Sequence, residues 1–290
     1  MKELLTENII VSSIQDEFLQ EKNIRLDLLR LDLIHPLISG NKWFKLKYNI
    51  RKALLQKAEQ IVSFGGAYSN HLHALAFAGK LFNINTAGII RGEEITNATL
   101  EDCKAWGMEL HFITRDKYRH KNEHEFIENI QQKYPSAFII PEGGNNEEGR
   151  KGTSEILAQV NLQLYTHIAC PVGTSATISG LIESSLPSNT VIGIAAIKNG
   201  QYLDEEIRSV TNNTNWSIEH CFHFGGFAKK TPALISFMNY FTSKHGIDID
   251  FIYNAKMLFG MYEMIRSEKI KPGSQILAIH TGGLQGNRSL

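Results

Sequence analysis

Short apolar runs alternate with helix-patterned stretches along most of this chain, and that alternation restricts the fold more than any other feature. I-V-S-F at 61–64 reads as a short buried strand. It leads straight into G-G-A-Y-S-N-H (65–71) and then into H-A-L-A-F-A-G-K-L (73–81), an apolar helix. Strand, glycine-rich turn and helix form the unit that presents backbone N–H groups and side chains at the C-terminal edge of a sheet. The pattern continues with a strand at 86–92, a helix near Leu100–Trp106, a strand at 109–114, a helix over roughly Glu123–Lys133 and a strand at 136–141. Such alternation predicts an α/β fold built on a parallel sheet.

The second half repeats the theme. E-G-G-N-N-E-E-G-R-K-G (142–152) reads as a loop returning from one lobe to the other, with a helix near Ser154–Val160 after it. T-H-I-A-C-P-V (166–172) is a buried strand, followed by G-T-S-A-T and a helix at 178–185. A strand at 191–197 and a helix from about Pro232 to Ser243 come next. Tyr253 stands on the turn into a further helix, and Q-I-L-A-I-H-T-G-G-L-Q-G (275–286) is a strand giving onto Thr281 and two glycines. Near the other end, I-R-L-D-L-L-R-L-D-L-I-H-P reads as a strand or hairpin ending at Pro36.

Three stretches carry candidate chemistry. In S-G-N-K-W-F-K-L-K-Y (39–48), Lys42 falls where a loop becomes a helix running to about Gln60. The positive end of the helix dipole disfavours its protonation, which suits an amine that attacks a carbonyl. Lys45 lies on the same face, three residues on. Ser69, Asn70 and His71 fall at a helix start, where they serve equally well as caps or as a grip on a small polar ligand. Gly173, Thr174, Ser175, Ala176 and Thr177 join a buried strand to a helix N-terminus with little bulk, three hydroxyls and free N–H groups. That is a cradle for phosphate, or simply a helix packed closely on its sheet. It is neither Walker A nor G-x-G-x-x-G, so no nucleotide is specifically implied.

Composition narrows the partners. With 290 residues, 42% hydrophobic and 21% charged, the chain has an ordinary soluble profile with room for a large core and two lobes. Thirty basic and thirty acidic residues cancel, which argues against a nucleic-acid surface or a membrane-seeking face. Eleven histidines show no H-E-x-x-H spacing, so no metal is expected. Cys103, Cys170 and Cys221 show no C-x-x-C, which suggests reduced thiols in a cytoplasm. M-K-E-L-L-T-E-N lacks the apolar core of a signal peptide, and no apolar run approaches a membrane span.

Taken together, G-N-K-x-x-K-L, F-G-G-x-x-S-N-H, E-G-G-N-N-x-x-G, V-G-T-S-A-T, Y-N-A-K-M-x-x-G-M and H-T-G-G-L run in order from about Gly40 to Gly283. The set resembles the pyridoxal-phosphate enzymes grouped as 1-aminocyclopropane-1-carboxylate deaminase and D-cysteine desulfhydrase, members of the tryptophan-synthase-β-like fold type II. The resemblance implies two lobes of open, parallel-rich sheets flanked by helices, with the active site in the interdomain cleft. Residues 47–149 would form a small inserted lobe; residues 1–46 and 150–290 would form the larger, cofactor-binding one. A homodimer follows by the same analogy.

The resemblance also implies roles. Lys42 would hold pyridoxal 5'-phosphate as a Schiff base and shuttle protons, and Lys45 would approach the phosphate resting on 173–177. Asn70 would hydrogen-bond the cofactor's ring oxygen. Ser69, Asn70 and His71 would bind the carboxylate of a small amino-acid substrate, with Ser69 as a proton relay and Tyr253 facing the substrate. Where the deaminase pattern places an acidic residue after the tyrosine, this chain has Asn254, and Thr281 fits the desulfhydrase pattern at the pyridine nitrogen. A hydroxyl keeps that nitrogen protonated less well than a carboxylate, which favours β-elimination over opening a cyclopropane. Phe227 stands where a second tyrosine is expected, which removes a candidate proton donor.

Overall fold

The computed structural model describes residues 9–290; the opening M-K-E-L-L-T-E-N, on which the expectation of no leader rests, lies outside them. The strands are β1 (Val11–Ser13), β2 (Arg25–Arg30), β3 (Gln60–Gly65), β4 (Asn85–Arg91), β5 (Met108–Ile113), β6 (Ala137–Ile140), β7 (His167–Val172), β8 (Thr190–Ala195), β9 (Trp216–Glu219) and β10 (Gln275–His280). The helices are α1 (Glu17–Glu21), α2 (Asn41–Leu55), α3 (Asn70–Phe82), α4 (Ala98–Ala105), α5 (Arg115–Arg119) and α6 (His124–Lys133). Further along come α7 (Glu147–Thr153), α8 (Ser175–Ser184), α9 (Tyr202–Arg208), α10 (Pro232–His245) and α11 (Asn254–Arg266).

Two sheets result, as the alternation predicts. One has the order β1-β2-β10-β7-β8-β9 and the other β5-β4-β3-β6. Every pairing is parallel except β1 with β2. The strands of the second sheet all come from within residues 60–140. Parallel strands are buried on both faces and therefore read as continuous apolar runs. β10 shows this: Ile276 and Ala278 join the cluster under α10 and α11, while Leu277 and Ile279 join the opposite cluster with Phe44 and the α8 residues Ile178, Leu181 and Ile182. The smaller sheet packs Leu72 and Leu75 of α3 against Trp43 and Leu46 of α2 on one face, and takes Phe126, Ile127 and Ile130 of α6 on the other.

Three expectations need correction. I-R-L-D-L-L-R-L-D-L-I-H-P does contain a strand, β2, but its antiparallel partner is β1 outside that stretch, with Val11 opposite Leu29, and β2 ends at Arg30 with a 3-10 turn at Leu31–Leu33, well before Pro36. α2 stops at Leu55, because Lys57 enters the left-handed region at φ 55° and Gln60 already opens β3. Most consequential, 142–152 is no plain loop, and 154–160 is not the helix. Glu142–Gly144 forms a 3-10 turn and α7 occupies Glu147–Thr153, with the Asn146 side chain accepting from the Gly149 N–H at 2.9 Å. Glycines that look loop-like serve close packing here. A Cβ on Gly152 would lie 1.7 Å from the Phe44 carbonyl oxygen of α2.

Among the described residues no helix is long and apolar enough to cross a membrane. Cys103 and Cys170 are buried free thiols, and Cys221 is exposed.

Candidate active site

The C-terminal ends of strands from both sheets converge on one cavity of about 520 Å³. Its walls come from Gly66–His71 after β3, Arg91 at the end of β4, Glu142 and Gly143 after β6, Pro171 near the end of β7 with Gly173, Thr174 and Thr177 after it, Ile197 after β8 and Thr281 after β10. Strand ends of open α/β sheets are where ligands collect, because backbone N–H groups and helix starts meet there. A shallower groove over α2 and α7 is lined by exposed charges, with Lys52 paired to Glu148, and holds none of the motif residues.

The cavity brings together Lys42, Lys45, Ser69, Asn70, His71, Gly173, Thr174, Thr177, Tyr253 and Thr281. Two predicted residues stand apart. The Ser175 hydroxyl turns to Glu206 Oε2 (2.7 Å) and Asn145 Oδ1 (3.0 Å), and Ala176 is fully buried. Only their backbone N–H groups remain for a ligand.

Gly40 explains how Lys42 reaches the site. It precedes α2 at φ 70°, and a Cβ there would lie 1.7 Å from the Thr281 carbonyl oxygen. α2 therefore begins pressed against the end of β10, with Asn41 N–H donating to that carbonyl at 3.2 Å. Lys42 Nζ then meets Asn41 Oδ1 at 2.6 Å, while Asn41 Nδ2 donates to Thr177 Oγ1 at 2.8 Å. Burial pushes the Lys42 amine down to about 8, against a partial counter-effect from the Asp250 carboxylate. At that value a substantial fraction is neutral and nucleophilic near physiological pH.

Lys45 is buried and donates to Thr174 Oγ1 at 3.0 Å. Burial, and then the neighbouring Lys42 charge, hold its amine well below the ordinary lysine value. Thr174 is the N-cap residue of α8 yet makes no side-chain cap bond, so the first N–H groups of that helix are uncapped beside the Lys45 amine. On α3, Ser69 is the cap: its Oγ accepts from the Leu72 N–H at 3.2 Å, so the capping role holds while Ser69 also lines the cavity. The next two N–H groups, those of Asn70 and His71, have no intrahelical acceptor by helix geometry.

Tautomer logic fixes His71. Ser63 Oγ donates to the Ile140 carbonyl at 2.8 Å and therefore accepts from His71 Nε2 at 3.0 Å. His71 Nδ1 is a buried lone pair with no partner. Burial, reinforced by Lys42 and Lys45, lowers the ring to about 3 and keeps it neutral. Asn70 Nδ2 is likewise committed, to the Gly283 carbonyl at 3.1 Å, which leaves its Oδ1 buried without a donor. Tyr253 packs its ring over Gly173, where a Cβ would lie 2.7 Å from the tyrosine Cε1. Gly173→Ala must displace that ring, and we expect cofactor retention to weaken by about tenfold, measured by absorbance after dialysis, with the melting temperature little changed.

A buried aldehyde-reactive amine, a second lysine at an uncapped helix start, and orphaned polar atoms around them suit pyridoxal phosphate. The family described as pyridoxal-phosphate dependent enzyme matches residues 17–282. This chain belongs to that family. Its relatives include a Thermotoga maritima protein provisionally named 1-aminocyclopropane-1-carboxylate deaminase, 29% identical, with 89% of this chain and 88% of that protein covered. Another is the Arabidopsis thaliana bifunctional D-cysteine desulfhydrase/1-aminocyclopropane-1-carboxylate deaminase, 25% identical over 86% of this chain and 70% of its own length. The fold matches the crystal structure of an ACC deaminase homologue, with a TM-score of 0.86 at 23% identity, covering 98% of this chain and 92% of that one. The resemblance read from the motifs therefore holds, as do the α/β fold with parallel-rich sheets and the dependence on pyridoxal phosphate.

Residue-level reading of the enzyme missed Asn41 and left open what Asn254 contacts. Asn41 holds the Lys42 amine, and its place directly before the lysine in G-N-K was the available signal. Asn254, which stands where the deaminase pattern has an acidic residue, is fully buried and does not line the cavity. Its Oδ1 accepts from Thr281 N–H (3.0 Å) and lies 3.3 Å from Thr281 Oγ1, while its Nδ2 donates to Asp250 Oδ1 at 2.6 Å. Thr281 meets the cavity, with Asn254 directly behind it.

Proposed function

We propose that this enzyme is a lyase or deaminase that releases ammonia and a 2-oxo acid from a small amino acid, and that β-elimination of the D-cysteine type is its preferred reaction. The observation that carries this reading is the Thr281 hydroxyl at the cavity, backed by an amide rather than a carboxylate. A neutral partner leaves the pyridine nitrogen less protonated, and elimination tolerates that because the leaving group takes the electron pair. Bound pyridoxal phosphate supplies the electron sink for the α-carbon.

Each residue then has a task. Lys42 would hold the cofactor through its aldehyde and would move the substrate's α-proton on its Nζ, with Asn41 Oδ1 keeping that nitrogen in place. Lys45, Thr174 and the uncapped start of α8 hold the phosphate. The Asn70 and His71 N–H groups at the start of α3 hold the substrate carboxylate, because the His71 side chain offers only a lone pair on its free nitrogen and a lone pair does not bind an anion. Asn70 Oδ1, buried without a donor, would accept from the cofactor's ring hydroxyl. Tyr253 and Phe227, ring centroids 6.0 Å apart, wall the substrate side. In this reading residues 47–149 form an inserted lobe. Its limits fall inside α2 and α7, which pack against each other and join it to residues 1–46 and 150–290.

The test is a screen of D- and L-cysteine, D-serine and 1-aminocyclopropane-1-carboxylate for oxo-acid release. We expect pyruvate from D-cysteine to outpace 2-oxobutanoate from the cyclopropane acid, and the reverse order would count against the Thr281 argument. A second measurement concerns pH. Below about 8 the Lys42 amine is protonated and lacks a lone pair. Cofactor uptake by the apoenzyme should therefore accelerate as pH rises, with a midpoint near 8. A midpoint near the ordinary lysine value of about 10.4 would show that this amine is not buried as described.

A further inference from the structure

The cavity contains more anion-seeking groups than the proposed reaction uses. The start of α8 with Lys45 takes the cofactor phosphate, and the start of α3 takes the α-carboxylate. A third group remains. Arg91 ends β4 and puts an exposed guanidinium on the cavity wall, 5.8 Å from the Tyr118 ring centroid and 6.0 Å from that of Phe227. Those rings are themselves held. Tyr118 donates to Glu142 Oε1 at 2.8 Å, and Phe227 sets its ring edge to face against Tyr253. Among the described residues no carboxylate pairs with Arg91, whereas its neighbour Lys121 is paired with Glu142 at 3.3 Å. A guanidinium steadied on two aromatic faces keeps its five donors for a ligand, and its fork matches a phosphate or sulfate edge.

Resting on the lyase reading above, we propose that Arg91 selects amino acids whose β-substituent ends in an anion, with phosphate and sulfate esters of serine as the chemical class. The step balances without an added redox partner. Lys42 takes the α-proton, the Cβ–O bond breaks, and its electron pair leaves on the ester group as inorganic phosphate or sulfate. One water then converts the remaining three-carbon unit to pyruvate and ammonium. Phe227 has a part in this. Where a tyrosine would add a hydroxyl that could accept from the guanidinium, the phenyl ring offers only its face, 6.0 Å away.

The experiment measures kcat/KM of the holoenzyme for both enantiomers of O-phosphoserine and O-sulfoserine, each as a ratio to D-cysteine, in the wild type, Arg91→Gln and Arg91→Lys. We expect the anionic-to-neutral ratio to fall by about ten- to a hundredfold in Arg91→Gln, mostly through KM, and to recover partly in Arg91→Lys, which restores charge but not the fork. A ratio that stays within about threefold, including a uniform loss on all substrates, overturns the proposal. So does a wild type that turns over D-cysteine but neither ester, and that result leaves the lyase reading standing. Absence of oxo acid from every amino acid, with Lys42 still fixed to the cofactor by borohydride, removes the lyase reading and this proposal together.

Discussion

Lys42→Ala is expected to bind pyridoxal phosphate without a covalent bond and to lose about a thousandfold or more in kcat. Both losses would follow from one nitrogen if, as proposed, Lys42 Nζ holds the cofactor and moves the α-proton. The competing amine is Lys45, also in the cavity and also held below the ordinary lysine value. Its Nζ is tied to Thr174 at the 173–177 turn, which in the proposed reading would hold the phosphate rather than the aldehyde. Borohydride reduction followed by peptide mass spectrometry separates the two: the label should sit on Lys42 in the wild type and in Lys45→Ala, and should vanish in Lys42→Ala. A label that persists in Lys42→Ala would move the imine elsewhere. Misfolding is a poor explanation for the loss, because a lysine whose folded pKa is depressed to about 8 carries a penalty below that pH. Stability of the wild-type apoenzyme should rise as pH climbs from about 8 toward 10.4, where the unfolded chain still binds the proton and the folded one does not. Part of that rise should disappear with Lys42, and urea denaturation at pH 7 should find the variant no less stable.

The sequence was most legible where both faces of an element are buried. β3, β7 and β10 announce themselves as apolar runs ending in glycine-rich turns, and those turns are what line the cavity. Legibility failed where tertiary packing overrides local composition. Four glycines and seven polar residues make 142–152 look like a loop, yet Gly149 and Gly152 let α7 sit against the Gly144 and Phe44 carbonyls at distances no side chain would permit. The spacing of those glycines after Asn146 was the readable trace. Residues named from the motifs line the cavity to the extent that motif and geometry coincide. Lys42 and Thr281 do. Ser175 does not, because whether a hydroxyl at a helix start faces the ligand or a neighbour depends on Glu206, which is remote in sequence. Arg91 carries no local motif at all, and only the convergence of two sheets gives it meaning.

Asn254 illustrates the same point with the larger consequence for stability. Read as a departure from an acidic pattern, position 254 invites a carboxylate as a test of the pyridine argument. The buried surroundings change what that substitution would do. Asp250 already accepts from the Ile252, Tyr253 and Asn254 N–H groups at 2.8–3.0 Å and from Asn254 Nδ2 at 2.6 Å. Both side chains have zero solvent exposure. Asn254→Asp replaces a donor with a second carboxylate in contact with the first and strips the Gly282 carbonyl of its 3.3 Å partner. Two carboxylates in a dry site cannot both ionise, so the pair must take up a proton on folding, and the unfolded chain does not at neutral pH. We expect a loss of about 3–5 kcal/mol at pH 7. The sign of its pH dependence follows from the raised folded pKa: the penalty grows as pH rises above the unfolded value of about 3.9 and shrinks as pH falls toward it. Urea denaturation of wild type and Asn254→Asp at pH 7 and pH 5 should therefore give a smaller gap at the lower pH. A gap that is constant, or wider at pH 5, would mean the 250–254 contact is not the buried pair described. Asn254→Ser, which keeps a donor without adding charge, should cost less than Asn254→Asp and leave the gap independent of pH.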